Sequence, residues 1–333
     1  MTRVWISLGL LPTALLFGAC GSEDPPAGGK ATGQCMPASP DCYVAGPSGP
    51  GAECLAKHDN TGQDVWQGRI SQITVSTPSV LATKFIHDTI LDLGINFAQP
   101  ACFEQGDGTF SWLFHFDRTA KKLKTGGSLP VTDPKSGGCF LTRNDLALPI
   151  APIEVDVEMT NGDRDFSASN IDVVVPIFQK ADQLDTPILL PLHAVDLKGS
   201  FTDDTHNCIG TYNGPTLYPE LSCQGDFGDA DPTVRRRFQA GATLKGYIRI
   251  DEADQVFIDV LDVTLCVYLA GITKWGDGAQ KSCASSAAWL GGERPAGDWC
   301  STTNAAATAD CKDAWRLEAE FAASAFKVNG DCP

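Results

Sequence analysis

The cysteines limit how this chain can fold more than any other feature of its sequence. There are 13 cysteines in 333 residues, an odd number, and Cys20 stands apart at the end of an apolar run. Structural zinc sites need closely spaced pairs such as CxxC, and the sequence contains none. The other twelve predict six disulfides, which persist in oxidising compartments. They are Cys35, Cys42, Cys54, Cys102, Cys139, Cys208, Cys223, Cys266, Cys283, Cys300, Cys311 and Cys332.

The N-terminus predicts export. Arg3 precedes residues 4–17, an uncharged apolar run of 14 residues. A helix of that length is too short to cross ~30 Å of hydrocarbon, which needs ~20 residues, but it has the length of a signal-peptide core. The run ends in Phe17-Gly18-Ala19-Cys20. An apolar residue, two small residues and a cysteine in this order resemble the bacterial lipobox.

The resemblance implies a lipid anchor. In the lipoprotein family the chain is cut just before the cysteine, the sulfur carries a diacylglycerol thioether, and the new N-terminus is usually acylated. Cys20 would then hold the protein on a membrane through several acyl chains. Phe17 departs from the usual Leu, and a secretory peptide cut nearby is the alternative. Gly21 is not the Asp associated with inner-membrane retention, which favours the outer membrane.

The charge of the chain excludes one class of partner. The net charge is −16, and Arg235-Arg236-Arg237 is the one basic cluster. A strongly acidic protein repels nucleic acids and anionic lipid surfaces. The sequence therefore predicts no nucleic-acid binding and a membrane contact through lipid alone. The arginines are expected to pair with nearby acids such as Asp229 and Asp231; an anion or a lipid head group is the alternative partner.

Composition divides the chain into four parts. Residues 1–19 are predicted to be the lipoprotein signal peptide. Residues 20–62 are rich in Gly, Pro, Ala and Ser, which predicts a flexible tether. Residues 63–272 are predicted to form a β-rich domain, and residues 273–333 a helical cap held by disulfides.

Hydrophobic periodicity predicts mainly β structure, overall α+β, with sandwich-like or barrel-like antiparallel sheets. One early helix is expected over Val80–Leu93 and another, in the cap, over Thr308–Val328. The predicted strands are Trp66–Thr77, Thr109–Asp117, Ile153–Met159, Ile171–Phe178, Ile188–Leu197, Ala242–Ile250 and Val256–Leu269.

One predicted strand carries four aromatic residues on a single face. Phe110, Trp112, Phe114 and Phe116 alternate with polar or smaller residues between Thr109 and Asp117. Such a face is expected to be buried in a core, although a lipid-like or sugar-stacking surface would have the same pattern.

Motifs for catalysis, cofactors and metals are missing from the sequence. It contains no GxSxG, HExxH, GxxxxGK[ST] or strand-associated GxGxxG, so we predict no cofactor. The weak candidates for a calcium loop are Asp226, Asp229 and Asp231, which are better explained as a solvated acidic loop. We therefore predict no metal site.

Two functions remain after these exclusions. The first is a non-enzymatic binding or structural module of the cell envelope, in keeping with a loose resemblance of the body to uncharacterised cysteine-rich lipoproteins. The second is an exported hydrolase whose site is assembled from residues distant in sequence. That site would bring His87, His115 or His193 next to a hydroxyl and an acid.

Overall fold

The computed structural model shows a mainly β, barrel-like protein with few short helices and six disulfides. It describes residues 35, 42–44, 53–83, 86–219, 223, 236–271, 281–284 and 295–333.

Eighteen strands are present among the described residues, and the helices are short. The strands are β1 (Val65–Thr77), β2 (Trp112–Asp117), β3 (Lys122–Gly127), β4 (Gly138–Phe140), β5 (Ile153–Asp156), β6 (Glu158–Thr160), β7 (Asp165–Ile177), β8 (Ile188–Ser200), β9 (Cys208–Ile209), β10 (Thr211–Tyr212), β11 (Phe238–Gln239), β12 (Ala242–Arg249), β13 (Phe257–Ile258), β14 (Val263–Thr264), β15 (Trp299–Cys300), β16 (Ala305–Ala306), β17 (Ala314–Ala325) and β18 (Val328–Asp331). The helices are α1 (Leu93–Ile95), α2 (Ile250–Ala253) and α3 (Leu265–Leu269), with a π-helical segment Ile86–Asp92 and 3₁₀ turns at Pro100–Cys102, Gly214–Thr216 and Asp259–Leu261.

Nine strands form the body in the order β5-β3-β2-β1-β17-β12-β8-β7-β6, and neighbouring strands are antiparallel. The two outermost strands, β5 and β6, are separated by Val157 alone. This one stretch of chain therefore pairs with β3 on one side and with β7 on the other, which makes the sheet a nearly closed barrel. A closed sheet leaves few unpaired edges.

The predicted alternation is confirmed in the first strands. The Trp66–Thr77 prediction matches β1 within one residue. The aromatic face predicted over Thr109–Asp117 is buried: Phe110, which precedes β2, is 4% exposed, and Trp112, Phe114 and Phe116 of β2 are 7%, 3% and 2% exposed. The opposite face of β2 is not uniformly polar: Leu113 is fully buried there in a small outer core with Phe140 and Phe326.

Aromatic rings close one end of the barrel interior. Phe116 contacts Phe166 and Phe201 at centroid distances of 5.2 and 5.6 Å, and Phe114 stacks on Phe321 at 5.6 Å. Trp66 lies 5.4 Å from Phe201. We call these six side chains the aromatic floor. Such pairs bury large apolar areas and stabilise the fold beyond burial alone.

The predicted C-terminal helical cap is wrong. Residues 314–325 form β17, which lies between β1 and β12 at the centre of the sheet. The alanine-rich sequence of this segment favours helix locally, but pairing on both edges outweighs that preference. Its small side chains also let other segments pack closely: Ala322 and Ala325 belong to a core cluster on the outer side, with Cys54 and Leu55.

Two further predictions need correction. The strand predicted over Val256–Leu269 is instead β13, a 3₁₀ turn, β14 and α3, because Asp262 adopts a left-handed conformation and the Thr264 side chain caps α3 at Val267 N–H. The early helix is shorter than predicted. Its described part runs from the π-helical segment at Ile86 to the end of α1 at Ile95, and residues 84–85 lie outside the described residues.

Six disulfides join the twelve cysteines that the sequence predicts to be paired. They are Cys35–Cys223, Cys42–Cys102, Cys54–Cys208, Cys139–Cys332, Cys266–Cys283 and Cys300–Cys311. All three cysteines of the predicted tether form disulfides with cysteines of the β-rich domain, so the latter part of the tether is cross-linked to that domain. Six disulfides indicate an extracytoplasmic protein. In the described part of the chain, no helix is both long and apolar enough to cross a membrane.

Candidate functional site

The end of the barrel opposite the aromatic floor contains a cavity. Strand register defines this end: Thr77 pairs with Glu318 and Ile177 with Ile188. The chain leaves β1 at Thr77, and it leaves β12 at Arg249, which pairs with Ala314 at the same end of β17. The segments that follow β1 and β12 are thereby placed over the same opening.

Aliphatic side chains of the strands form the wall of the cavity. β1 contributes Ile70, Ile73 and Val75, and β7 contributes alternate residues from Ile171 to Ile177. Alternation explains the arrangement, because every second residue of a strand faces the same side of the sheet. β8 contributes five residues between Ile188 and Leu197.

Two segments outside the sheet complete the cavity, and together we call them the cover. The first consists of residues 81–83 and 86–91 and contributes Leu81, Ile86, Ile90 and Leu91 to the lining. The second consists of residues 258–268 and contributes four residues, of which Tyr268 is the last. The cover therefore closes an opening that the strands alone would leave.

The chemistry of the lining is almost purely hydrocarbon. Twenty-one of the 25 described residues that line the cavity are Ile, Leu or Val, and none of the 25 is charged. Two hydroxyls lie in the lining, and both donate to backbone carbonyls: the Thr125 hydroxyl to Leu113 O at 2.8 Å and the Tyr268 hydroxyl to Val80 O at 3.4 Å. The wall therefore offers mainly dispersion contacts.

The cavity is large for a protein interior. Its volume is about 120 Å³. Protein cores are normally packed with few voids larger than a water molecule, and apolar cavities stay dry and bind apolar molecules. This arrangement can enclose an apolar ligand.

A buried arginine attaches the cover to the barrel. Arg69 of β1 is 4% exposed and donates to Ser111 Oγ at 2.6 Å, Ile95 O at 2.6 Å and Phe110 O at 3.0 Å. Its guanidinium also lies 4.1 Å from the Phe97 ring centroid. Burial lowers the pKa of Arg69 to about 9, although Glu104 opposes the shift. Arg69 thus links α1, which follows the first cover segment, to the start of β2.

Asp92, which directly follows the first cover segment, is affected by both acidic and basic side chains. Burial, and then the Asp88 carboxylate, raises the pKa of Asp92 to about 7, while Arg237 and Arg236 act in the opposite direction. Arg236 forms an ion pair with Glu320 at 3.0 Å, and Arg237 donates to the Phe103 carbonyl.

The predicted arginine partners Asp229 and Asp231 lie outside the described residues, as do Arg235 and the remaining residue of the acidic-loop candidate, Asp226. The lipidation residue Cys20 also lies outside them.

The histidines proposed for catalysis are placed apart from one another on the barrel. His87 Nε2 accepts a hydrogen bond from Val75 N–H at 3.1 Å, and burial, followed by Arg236, lowers its pKa. His115 lies on β2, and burial lowers its pKa against the effect of Asp117.

His193 meets acids on both ring nitrogens. Nε2 contacts Glu252, and Nδ1 lies 3.4 Å from Asp172. Tyr247 stacks on His193 at 5.5 Å, but the Tyr247 hydroxyl donates to Ser301 O. His193 is therefore arranged as a bridge between carboxylates and leaves neither nitrogen to activate a nucleophile.

Two groups of described residues have the spacing of metal ligands. They are Asp254 with Cys266 and Cys283, and Asp313 with Cys300 and Cys311. In both groups the sulfurs are joined as disulfides, and metals bind the thiolate. Asp254 has a structural role instead, because it accepts hydrogen bonds from Thr264 Oγ1 at 2.8 Å and Cys283 N–H at 2.6 Å.

The cavity was not predicted from the sequence. Alternating aliphatic residues predict burial, and the same pattern arises whether the space between them is filled or empty. Comparison with known proteins adds no assignment: no family, no curated protein and no solved structure matches the chain.

Proposed function

We propose that this protein is a non-enzymatic binding protein of the cell envelope that encloses an apolar ligand in its barrel. The observation that carries the proposal is the cavity beneath the cover, with its 21 aliphatic residues and no charged residue among those described. Largely preformed apolar cavities are the usual form of small-molecule sites.

The anchor and the location belong to the same proposal. A lipidated Cys20 would hold the barrel at a membrane, with the outer membrane favoured, and a membrane is a source of apolar ligands. The acidic net charge of −16 argues against nucleic acid as a partner. The competing hydrolase finds less support, because the best-placed candidate, His193, contacts Glu252 and Asp172 and not a hydroxyl nucleophile.

The proposal is tested by titrating the protein with N-phenyl-1-naphthylamine, an uncharged probe that fluoresces in apolar sites. We expect saturable binding at one site per chain. Val175 lines the cavity, so Val175→Phe should fill it and weaken binding at least tenfold. Val174 is half-buried and is not among the residues that line the cavity, so Val174→Phe adds the same side chain away from the cavity and serves as the matched control. Absence of saturable binding, or equal loss in both variants, would contradict the proposal.

A further inference from the structure

A second, smaller cavity lies between β1 and the chain around Cys54, and charged side chains contribute to its wall. Lys57 comes from the segment before β1, Arg69 and Ser71 belong to β1, and Glu104 comes from the loop before β2. The volume of this cavity is about 20 Å³, and a cavity needs ~10–15 Å³ to hold a water molecule. There is room for one water molecule or one monatomic ion, whereas phosphate and other polyatomic ions are too large.

The charges around this cavity do not balance. Lys57 and Glu104 form an ion pair at 2.9 Å, and their side chains are 6% and 9% exposed. Arg69 is also buried, but its hydrogen-bond acceptors are all neutral; they are Ser111 Oγ, Ile95 O, Phe110 O and Ile70 O. Among the described residues that line the cavity, two cations therefore face one carboxylate, which leaves one positive charge without a counterion.

The cations also repel one another. Burial lowers the pKa of Lys57 although Glu104 raises it, and the positive charges of Arg237 and Arg69 add to the lowering. Burying a charge without a partner is strongly unfavourable. An anion in the cavity would remove this penalty, because it would lie beside both Lys57 and Arg69.

Hydrogen-bond donors without an acceptor are present in the same wall. An ammonium group has three N–H donors and a guanidinium has five. Lys57 Nζ donates to the Cys42 carbonyl and to Glu104, and Arg69 donates four hydrogen bonds, so each of them keeps one N–H. The Ser71 hydroxyl is buried and has no partner in the described part of the chain. Three donors are therefore available to an anion.

From these contacts we infer that the cavity binds one monovalent, monatomic anion, such as chloride, through Lys57, Arg69 and Ser71. The single unbalanced charge makes the ion monovalent, and the size of the cavity makes it monatomic. A water molecule, the competing occupant, would leave the charge of Arg69 unbalanced. This inference goes beyond the proposed function and does not depend on it, since the anion would join the segment around Lys57 to β1 whether or not the barrel holds an apolar ligand.

The test is thermal unfolding of the full chain, with its disulfides intact, as chloride or bromide replaces gluconate at constant ionic strength. Constant ionic strength keeps the screening of exposed charges equal, and gluconate is too large for the cavity. A ligand of the folded state stabilises it, so each halide should raise the unfolding temperature by about 2–4 °C and the effect should saturate. Equal unfolding temperatures in the three salts, or a rise without saturation, would overturn the inference.

A matched pair of variants tests the position of the ion. Ser71→Ala removes one donor and keeps both cations, so the halide concentration at half effect should rise about threefold or more, the loss expected for one hydrogen bond. Ser76→Ala is the control, because it removes an exposed hydroxyl of β1 that donates to Glu318 O, and it should leave that concentration unchanged. An unchanged concentration in Ser71→Ala would overturn the inference.

Crystals soaked in bromide give an independent measurement. We expect an anomalous peak within hydrogen-bond distance of Lys57 Nζ, the Arg69 guanidinium and Ser71 Oγ. Anomalous peaks that lie only at the protein surface would overturn the inference and leave the proposed function intact. The proposed function fails separately, if N-phenyl-1-naphthylamine does not bind.

Discussion

The Tyr268 hydroxyl donates a hydrogen bond to the Val80 carbonyl at 3.4 Å and so joins the second segment of the cover to the residue before the first. Tyr268 also lines the cavity. The two segments follow different strands, β1 and β12, and this bond attaches the second segment to the residue directly before the first. If either segment moves away from the other to open the cavity, this hydrogen bond must break.

Tyr268→Phe should therefore speed ligand exchange. A hydrogen bond of this length contributes at the low end of ~0.5–1.5 kcal/mol, so association and dissociation rates of the bound probe should both rise roughly two- to fivefold, with little change in Kd. Stopped-flow fluorescence measures both rates. Tyr247→Phe is the control, because it removes a similar bond of 3.3 Å to Ser301 O outside the cover. A similar acceleration in the control would argue against a role of the cover in exchange.

Asp92 should make the protein less stable as the pH rises from about 4 to 7. The folded pKa of about 7 lies above the ordinary value for Asp, 3.8. Between these values the unfolded chain loses the proton and the folded chain keeps it, so the free energy of unfolding falls with pH. The loss is a few kcal/mol at most, at ~1.4 kcal/mol per pKa unit.

Asp92→Asn removes that titration. The variant should be more stable than the wild type at pH 8 and closer to it at pH 4, as measured by urea unfolding across this range. Asp88, Arg236 and Arg237 remain in the variant, so their contributions stay in both curves. A difference in stability that does not change with pH would refute the assignment of this titration to Asp92.

Gly127→Ala should strain the seam where the barrel closes. A Cβ at Gly127 would lie 2.4 Å from Pro176 Cγ and 2.5 Å from Cδ, so β7 would have to move away from β3. Overpacking of this kind costs about 1–3 kcal/mol. Thermal unfolding measures it, and a double-mutant cycle with Pro176→Ala should recover much of the loss because the ring is gone. Additive effects would show that the two residues do not compete for the same space.

Disulfides that close long loops should matter more than those that close short ones. Cys54–Cys208 joins residues 154 apart, and Cys300–Cys311 joins residues 11 apart. On chain entropy alone the first contributes at most about 5 kcal/mol and the second about 3. Replacing each pair by serine and comparing urea unfolding tests the order. A larger loss from the Cys300–Cys311 pair would contradict it.

The sequence predicted strands correctly where the local alternation of hydrophobic residues matches the burial of their side chains in the fold. The alternation in β1, β2, β8 and β12 predicts those strands, and the aromatic face of β2 predicts the buried face that includes Phe114 and Phe116. Cysteine parity predicts that the twelve cysteines can all be bridged, although the partners come only from the structure.

The failures have two physical causes. In β17 the local helical preference of alanine is overridden by β1 and β12, strands far away in sequence. The cavity is invisible in sequence because Val173 and Val175 would look the same facing a packed core. Whether they face a void depends on how the cover meets the barrel, through contacts such as Arg69 with Ile95 and Tyr268 with Val80.

The central claim, that the barrel holds an apolar ligand, is tested most directly by native mass spectrometry of the full chain extracted from its own membranes, without reduction. We expect a non-covalent mass of one apolar molecule per protein, which is released on unfolding, lost in Val175→Phe and retained in Val174→Phe. A native mass that equals the unfolded mass, and stays unchanged after incubation with N-phenyl-1-naphthylamine, would contradict the account.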